Sequence, residues 1–166
     1  MKNVVAVALG SNLSSNNGIQ PENLLIMVGD LLQKLFPEEF LMAKIMESSP
    51  LGPQDQPNYF NSVVKFQSDF APQRILNILK GIEVLYGRQH RRRWGERELD
   101  LDLLFCGNIC LNQERLILPH SQMKFRSFVL KPLEEIYPDW IHPQSGESLK
   151  SLIHSLEEHK INEATS

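Results

Sequence analysis

The chain has 166 residues, of which 42% are hydrophobic and 22% charged, and a formal net charge of -3. That balance is the one expected of a globular protein with a real core, and the length suits a single domain over residues 1–166. It excludes a membrane-spanning or low-complexity chain, because no apolar run reaches membrane length and no tract is biased or repeated; against the slight overall acidity, any dense basic segment is local and aimed at something anionic, and no nucleic-acid partner is expected. Two cysteines, Cys106 and Cys110, are too few for a zinc site and read as structural thiols. The apolar run Val4 to Leu9 is too short for a signal-peptide core, so the cytoplasm is the expected compartment.

In chain order, Val4 to Leu9 reads as a buried strand that ends in the turn-rich run from Gly10 to Gly18. Pro21 suits a helix's first turn, and Leu24, Leu25, Val28, Leu31, Leu32 and Leu35 form a helical stripe running to about Phe36. Phe40 to Glu47 suits a second strand. Pro50, Gly52, Pro53 and Pro57 make Ser48 to Pro57 an irregular loop. Tyr59 to Phe66 alternates as a third strand with Tyr59, Asn61, Val63 and Lys65 on one face. Pro72 opens a second helix with Ile75, Leu76, Leu79, Ile82 and Leu85 inward and Gly87 as its stop. Leu99 to Phe105 is a fourth strand, paired in a hairpin with Ile109 to Leu111. A short strand at Leu116 to Leu118 follows, then helices around Met123 to Val129, around Pro132 to Ile136 and from about Ser148 to Glu158.

The leading order β-α-β-β-α-β predicts an α+β fold with a ferredoxin-like core, an antiparallel sheet with helices on one face. The extra C-terminal helices and short strands then cover the other face, giving an α/β/α layering. Fold by itself assigns no activity.

The most informative stretch runs from Arg93 to Phe105. Period-two alternation puts Asp100, Asp102 and Leu104 on one side of a strand, and Leu99, Leu101, Leu103 and Phe105 on the other. The two carboxylates, with Cα atoms about 6 to 7 Å apart in an extended strand, converge on one cation or bracket a pair. Oxygen ligands without His or Cys favour a hard ion, Mg²⁺ above all, held by one or two carboxylates and substrate phosphates. The plain alternative is an edge strand that uses charge against aggregation. The preceding Arg88, Arg91, Arg92, Arg93 and Arg97, with His90 among them, supply forked cations suited to phosphate. Together these features suggest nucleoside triphosphate chemistry. Separately, Tyr59 beside Asn61 offers an aromatic plane and an amide that can read a flat heterocycle, or else a packed ring and a turn-tying amide.

Taken together, Ala8-Leu9-Gly10-Ser11-Asn12-Leu13, Ser48-x-Pro50-x-Gly52 through Tyr59-x-Asn61, Gly87-Arg88, Arg93-Trp94-Gly95-x-Arg97-x-Leu99-Asp100-Leu101-Asp102, Leu118-Pro119-His120 and Met123 through Arg126 to Phe128 resemble the 6-hydroxymethyl-7,8-dihydropterin pyrophosphokinase family over nearly the whole chain. The resemblance implies transfer of the β,γ-pyrophosphoryl unit of ATP to the pterin's hydroxymethyl oxygen, with release of AMP, on the way to tetrahydrofolate. It implies that Asp100 and Asp102 hold two Mg²⁺ ions. It gives Arg97, His120 and Arg126 to the triphosphate, Arg88 and Arg115 to further basic contacts, and Lys80 and Glu83 to a helix face near the nucleotide. By the same likeness Tyr59 and Phe128 wall the pterin, Asn61 reads its polar edge, Ser48, Pro50 and Leu51 line its pocket, and Trp94 sits in a loop that closes over both substrates. A monomer is expected. Glu96, Ser48 and Ser121 stand where relatives commonly carry proline, threonine and an aromatic hydroxyl. The loop from Gly87 to Trp94 is one residue shorter than in some relatives, which leaves His90, Arg91 and Arg92 without assigned phosphates.

Two other readings fit less of the chain. A nucleotidyltransferase would place its acids soon after the Gly10-Ser11 turn, not some ninety residues later. An RNA-recognition module shares the topology but would need an aromatic signature that this chain lacks, and two acids on its sheet would repel phosphate. A P-loop kinase is excluded by the lack of Gly-x₄-Gly-Lys-Ser/Thr.

Overall fold

A computed structural model describes residues 1–13, 18–49, 55–87 and 98–165. Its organising element is β1 (Asn3–Ser11), which is buried on both faces: Val5, Val7 and Leu9 enter one core cluster, and the small Ala6 and Ala8 enter another. Helix α1 (Pro21–Leu35) begins at a proline, whose missing N–H costs nothing in a first turn, and it buries Leu24, Leu25, Val28, Gly29 and Leu32. At Gly29 an added Cβ would press on the Met42 sulfur, so the flexible thioether would have to shift.

The expected second strand is two short ones, β2 (Leu41–Met42) and β3 (Met46–Ser48), both antiparallel to β4 (Tyr59–Ser68). Between them the Ala43 N–H still donates to the Val63 carbonyl at 2.9 Å, but the Ala43 carbonyl and the Lys44 N–H are taken by side chains. The Ser62 hydroxyl donates to the Ala43 carbonyl at 2.8 Å, and the Lys44 N–H donates to Glu135 at 2.7 Å. Helix α2 (Pro72–Leu85) again starts at a proline and leads to β5 (Asp100–Cys106).

The strands lie in the order β2-β4-β1-β5, with β3 also on β4, and every pairing is antiparallel. Thus β1 and β2 are parallel with β4 between them, and β4 and β5 are parallel with β1 between them. Each parallel couple is joined by a helix, which makes two split β-α-β units and the expected ferredoxin-like core. On one face α1 and α2 pack over Val64, Phe66, Leu101 and Leu103, with Phe36 stacked on Phe66 at 4.3 Å. On the other, α3 (Ser127–Ile136) and α4 (Leu149–Thr165) cover Ala6, Ala8, Val63, Leu104 and Phe105, with Trp140 stacked on Phe105 at 4.8 Å. The α/β/α layering follows.

Four local expectations are corrected. The segment after β5 does not form a hairpin with it. Gly107, at φ 54°, closes a turn in which its N–H bonds Val4 and the Ile109 N–H bonds Cys106, and β6 (Leu111–Asn112) then pairs with β7 (Ile117–Leu118). The two short helices at 123–129 and 132–136 are one 3-10 turn (Met123–Phe125) and the continuous α3, which runs through Pro132 because Leu130 and Leu133 are buried beside it. The proline removes the rung to the Phe128 carbonyl without ending the helix. The last helix runs to Thr165, and its start is capped by the Ser148 hydroxyl, which accepts from the Ser151 N–H. Finally, Phe105 faces α3 and α4 and not the side of Leu99, Leu101 and Leu103, because β5 carries a bulge: Val7 pairs with Leu103 and Ala6 with Phe105, leaving Leu104 as the extra residue.

No helix among the described residues is long and apolar enough to cross a membrane. Cys106 is buried, and burial pushes its thiol up to about 12, whereas Cys110 is exposed.

Candidate active site

The register of three strands draws the two sequence constellations together. Asn61 pairs with Gly10 and Gly10 with Asp100; one rung along, Val63 pairs with Ala8 and Ala8 with Asp102; at the other end Tyr59 pairs with Ser48. Directly paired residues share a face. Tyr59, Asn61, Ser48, Asp100 and Asp102 therefore all project from the side covered further down by α3 and α4. With strands about 4.8 Å apart, Asn61 and Asp100 stand about 10 Å apart across Gly10.

Gly10 makes that crossing possible, since an added Cβ would lie 3.0 Å from the Asn61 side-chain oxygen. Asn61 is 5% exposed, and its amide donates to the Ser48 hydroxyl at 3.1 Å, which fixes the direction in which it is presented.

Asp102 is half-buried and meets two cationic or polar partners. Arg126 Nη1 lies 3.5 Å from one carboxylate oxygen and His120 Nε2 4.0 Å from the other. The histidine follows the cis Leu118–Pro119 bond. Its backbone N–H donates to the Leu104 carbonyl at 2.8 Å, and its Nδ1 accepts from the Gln122 N–H at 3.1 Å. Accepting at Nδ1 puts the proton of the neutral ring on Nε2, toward Asp102. Burial holds the His120 pKa below its ordinary value; Asp102 opposes that shift, and Arg126 and Lys80 reinforce it. Arg126 sits at the entry to α3, with its guanidinium 5.8 Å from the Phe128 ring.

Beside the outer edge of β5 lies a cavity of about 240 Å³, whose apolar walls include Leu76, Leu103 and Ile117 and whose polar groups include Lys80, Asp102, Arg115 and His120. Such a mixture suits a flat apolar body with an anionic tail. Lys80 lines this cavity, whereas Glu83 is placed behind it: 1% exposed, with one oxygen accepting the Leu101 N–H at 2.7 Å and the other 3.2 Å from Lys80 Nζ.

Asp100 and Asp102 fit a hard divalent ion as an all-oxygen pair on one face, with Asp102 open to the cavity. The described residues contain no group of three His, Cys, Asp or Glu arranged for a metal. Two carboxylates on one face are the kind of donor set that holds an ion jointly with phosphate oxygens. Of the residues named from sequence, Pro50, Leu51, Arg88, Trp94 and Arg97, and likewise His90, Arg91 and Arg92, lie outside the described residues.

Sequence reasoning passed over Ser11 and Asn12 as mere turn residues. Asn12 is 2% exposed and donates to the Gln56 side chain at 2.9 Å and the Pro57 carbonyl at 3.0 Å, tying the base of the proline-rich loop to β1. The Ser11 hydroxyl donates to the Glu98 carbonyl, just ahead of the paired acids. Two polar side chains ending an otherwise apolar buried strand were the available sign.

Two acids on one face, with Asp102 beside an arginine and a histidine and lining a half-apolar cavity at the edge of a ferredoxin-like sheet, are a site of the phosphoryl-transfer class. Residues 6–138 match the family 7,8-dihydro-6-hydroxymethylpterin-pyrophosphokinase (HPPK). The chain is 39% identical over 155 residues to the 2-amino-4-hydroxy-6-hydroxymethyldihydropteridine pyrophosphokinase of Haemophilus influenzae, covering 93% of this chain and 94% of that one. It is 40% identical over 151 residues to the enzyme of the same name from Pseudomonas aeruginosa, covering 90% and 89%. Among solved structures, the Plasmodium falciparum HPPK-DHPS wild type with pteroate superposes with a TM-score of 0.72 at 13% identity, covering the whole of this chain and 44% of the other, a likeness of fold. This chain belongs to the 7,8-dihydro-6-hydroxymethylpterin-pyrophosphokinase family, and is an ATP-using pyrophosphokinase of folate biosynthesis.

Proposed function

We propose that the single domain of residues 1–166 transfers the β,γ-pyrophosphoryl unit of ATP to the hydroxymethyl oxygen of 6-hydroxymethyl-7,8-dihydropterin, releasing AMP. The observation that carries the reading is the shared rung Asn61, Gly10 and Asp100, which sets a heterocycle-reading amide and a cation-binding acid about one small molecule apart on one face.

Tyr59 and Phe128 wall the pterin, Asn61 reads its polar edge, and Ser48 holds Asn61; Pro50, Leu51 and Trp94 complete the pocket. The nucleotide lies in the cavity along β5, with Lys80, Arg88, Arg97, Arg115, His120 and Arg126 toward its phosphates and Glu83 behind them. Asp100 and Asp102 hold two Mg²⁺ ions, which when bound neutralise the triphosphate and polarise its phosphoryl oxygens. Arg126, 3.5 Å from Asp102, presents a fork suited to bidentate bonds with phosphate oxygens. Trp94 helps to exclude water that would otherwise take the pyrophosphoryl group. The protein acts as a cytoplasmic monomer.

Incubation with ATP, Mg²⁺ and the pterin, followed by chromatographic identification of the nucleotide product, tests this. AMP in equal amount to pterin diphosphate is expected; ADP, or nucleotide loss without pterin, would refute it.

A further inference from the structure

Glu83 is the one carboxylate on the inward face of α2. That face otherwise carries Ile75, Leu79 and Ile82, and the position is as closed to solvent as theirs. Burying a carboxylate costs several kcal/mol unless its oxygens are partnered, and an apolar side chain would pack there more readily. The partners it has indicate what it does.

Among the described residues β5 is the outermost strand of the sheet. Leu9 and Leu101 pair across β1 and β5, but the Leu101 N–H points outward, away from β1, and donates to Glu83 at 2.7 Å. Leu101 stands between Asp100 and Asp102. Its side chain is buried under α2, and the two acids emerge on the opposite face. Lys80, one helical turn back and at the cavity rim, lies 3.2 Å from the other Glu83 oxygen. The carboxylate thus spans from the helix to the peptide between the acids.

We infer that Glu83 is a positioning residue: it clamps the free edge of β5 at Leu101 and so fixes the mutual aim of Asp100 and Asp102 toward a divalent cation, without itself touching that cation. The inference rests on the proposed function for the identity of the cation. The clamp needs an acceptor at the Leu101 N–H, not a charge. A glutamine keeps that acceptor; a methionine of similar volume removes it while filling the same space.

The test reads amide hydrogen exchange at Leu101 in the metal-free protein by NMR, together with the Mg²⁺ concentration for half-maximal turnover at saturating ATP and pterin. Glu83→Met is expected to speed Leu101 exchange at least 10-fold while Asp100 and Asp102 amides change little, and to raise the Mg²⁺ requirement at least 10-fold. Glu83→Gln, which folds without loss of volume, is expected to stay within 3-fold of the wild type in both. A 10-fold rise in either quantity in Glu83→Gln overturns the clamp, and so does uniform acceleration of all β5 amides in Glu83→Met, the mark of a merely structural role. A Glu83→Met enzyme with a raised KM for ATP and an unchanged Mg²⁺ requirement would make Glu83 a nucleotide contact instead. The exchange measurement needs no turnover, so an inactive wild type would count against the proposed function and leave the clamp decided by exchange alone.

Discussion

Replacing Gly10 by alanine perturbs the site at a single atom. The new Cβ would stand 3.0 Å from the Asn61 side-chain oxygen and 3.9 Å from the Phe60 carbonyl, so only the amide is pressed. Restoring ordinary contact requires the amide to retreat by about 0.4 Å, which works against its 3.1 Å bond to Ser48. Loss of that bond costs about 1 kcal/mol. Alanine in place of glycine within a strand returns about 0.5 to 1 kcal/mol, so folding stability changes by less than about 1 kcal/mol and the melting temperature by a few degrees at most. Pterin binding has no such offset. A buried amide turned away from its partners loses about 1 to 3 kcal/mol, which corresponds to a Kd raised roughly 5- to 150-fold. Fluorescence titration with the pterin, beside ATP titration and thermal melts, separates these effects. A pterin Kd within 2-fold of the wild type, or an equal loss of ATP affinity, would refute the idea that Gly10 acts by making room for Asn61.

Asp100→Asn and Asp102→Asn should each abolish turnover while leaving the thermal midpoint within a few degrees, since Asp102 is half-exposed and exposed ion pairs contribute about 1 kcal/mol or less; measurable turnover near the wild-type rate in either would contradict the assignment. Stability should also fall on acidification through His142, whose pKa is held down by burial and by Lys124 against the opposing Glu147. A lowered native pKa means the unfolded chain binds more protons. Stability is therefore full above about 6.5 and declines as pH drops from there through the native value. The Nδ1 of this ring accepts the N–H groups of Gln144 and Ser145. His142→Asn keeps an acceptor without the titration and should show a smaller fall in the urea midpoint between pH 7.5 and 5.5; an equal fall would clear His142 of the effect.

The helices were legible because their determinants are local. Pro21 and Pro72 mark first turns, and the stripes Leu24–Leu25–Val28–Leu32 and Ile75–Leu79–Ile82 turn one face inward whatever lies opposite, although Leu35 and Leu85, expected to continue them, are exposed at the helix ends. The pairing of Tyr59 with Asn61, and of Asp100 with Asp102, on common faces was legible for the same reason. Legibility ended where a partner across space decides the outcome. Phe40 to Glu47 has the composition of a strand, yet Ser62 and Glu135 compete for its backbone from distant parts of the chain and split it. Asn12 reads as a turn residue until Gln56 and Pro57 come beside it. The site itself is an inter-strand object: nothing in either segment alone says that Asn61 and Asp100 share a rung with Gly10.

The bulge in β5 is the clearest case, because it decides what surrounds Asp102. Strict alternation from Leu101, whose N–H points outward to Glu83, would turn Leu103 outward and Leu104 inward toward β1. Leu104 is instead left over between the pairs Val7 with Leu103 and Ala6 with Phe105. Its carbonyl is released from the ladder and accepts the His120 N–H at 2.8 Å. The same extra residue sends both Leu104 and Phe105 into the layer under α3, where Phe105 meets Trp140 at 4.8 Å, and Cys106 back to the opposite core. One inserted residue therefore accomplishes two things that regular pairing forbids: it anchors the histidine that faces Asp102, and it packs an aromatic ring beneath the helix that delivers Arg126. Bulges gather beside active sites because they re-aim groups in this way, and no period-two reading of Leu99 to Phe105 can disclose one, since the mismatch belongs to the pair of strands and not to either.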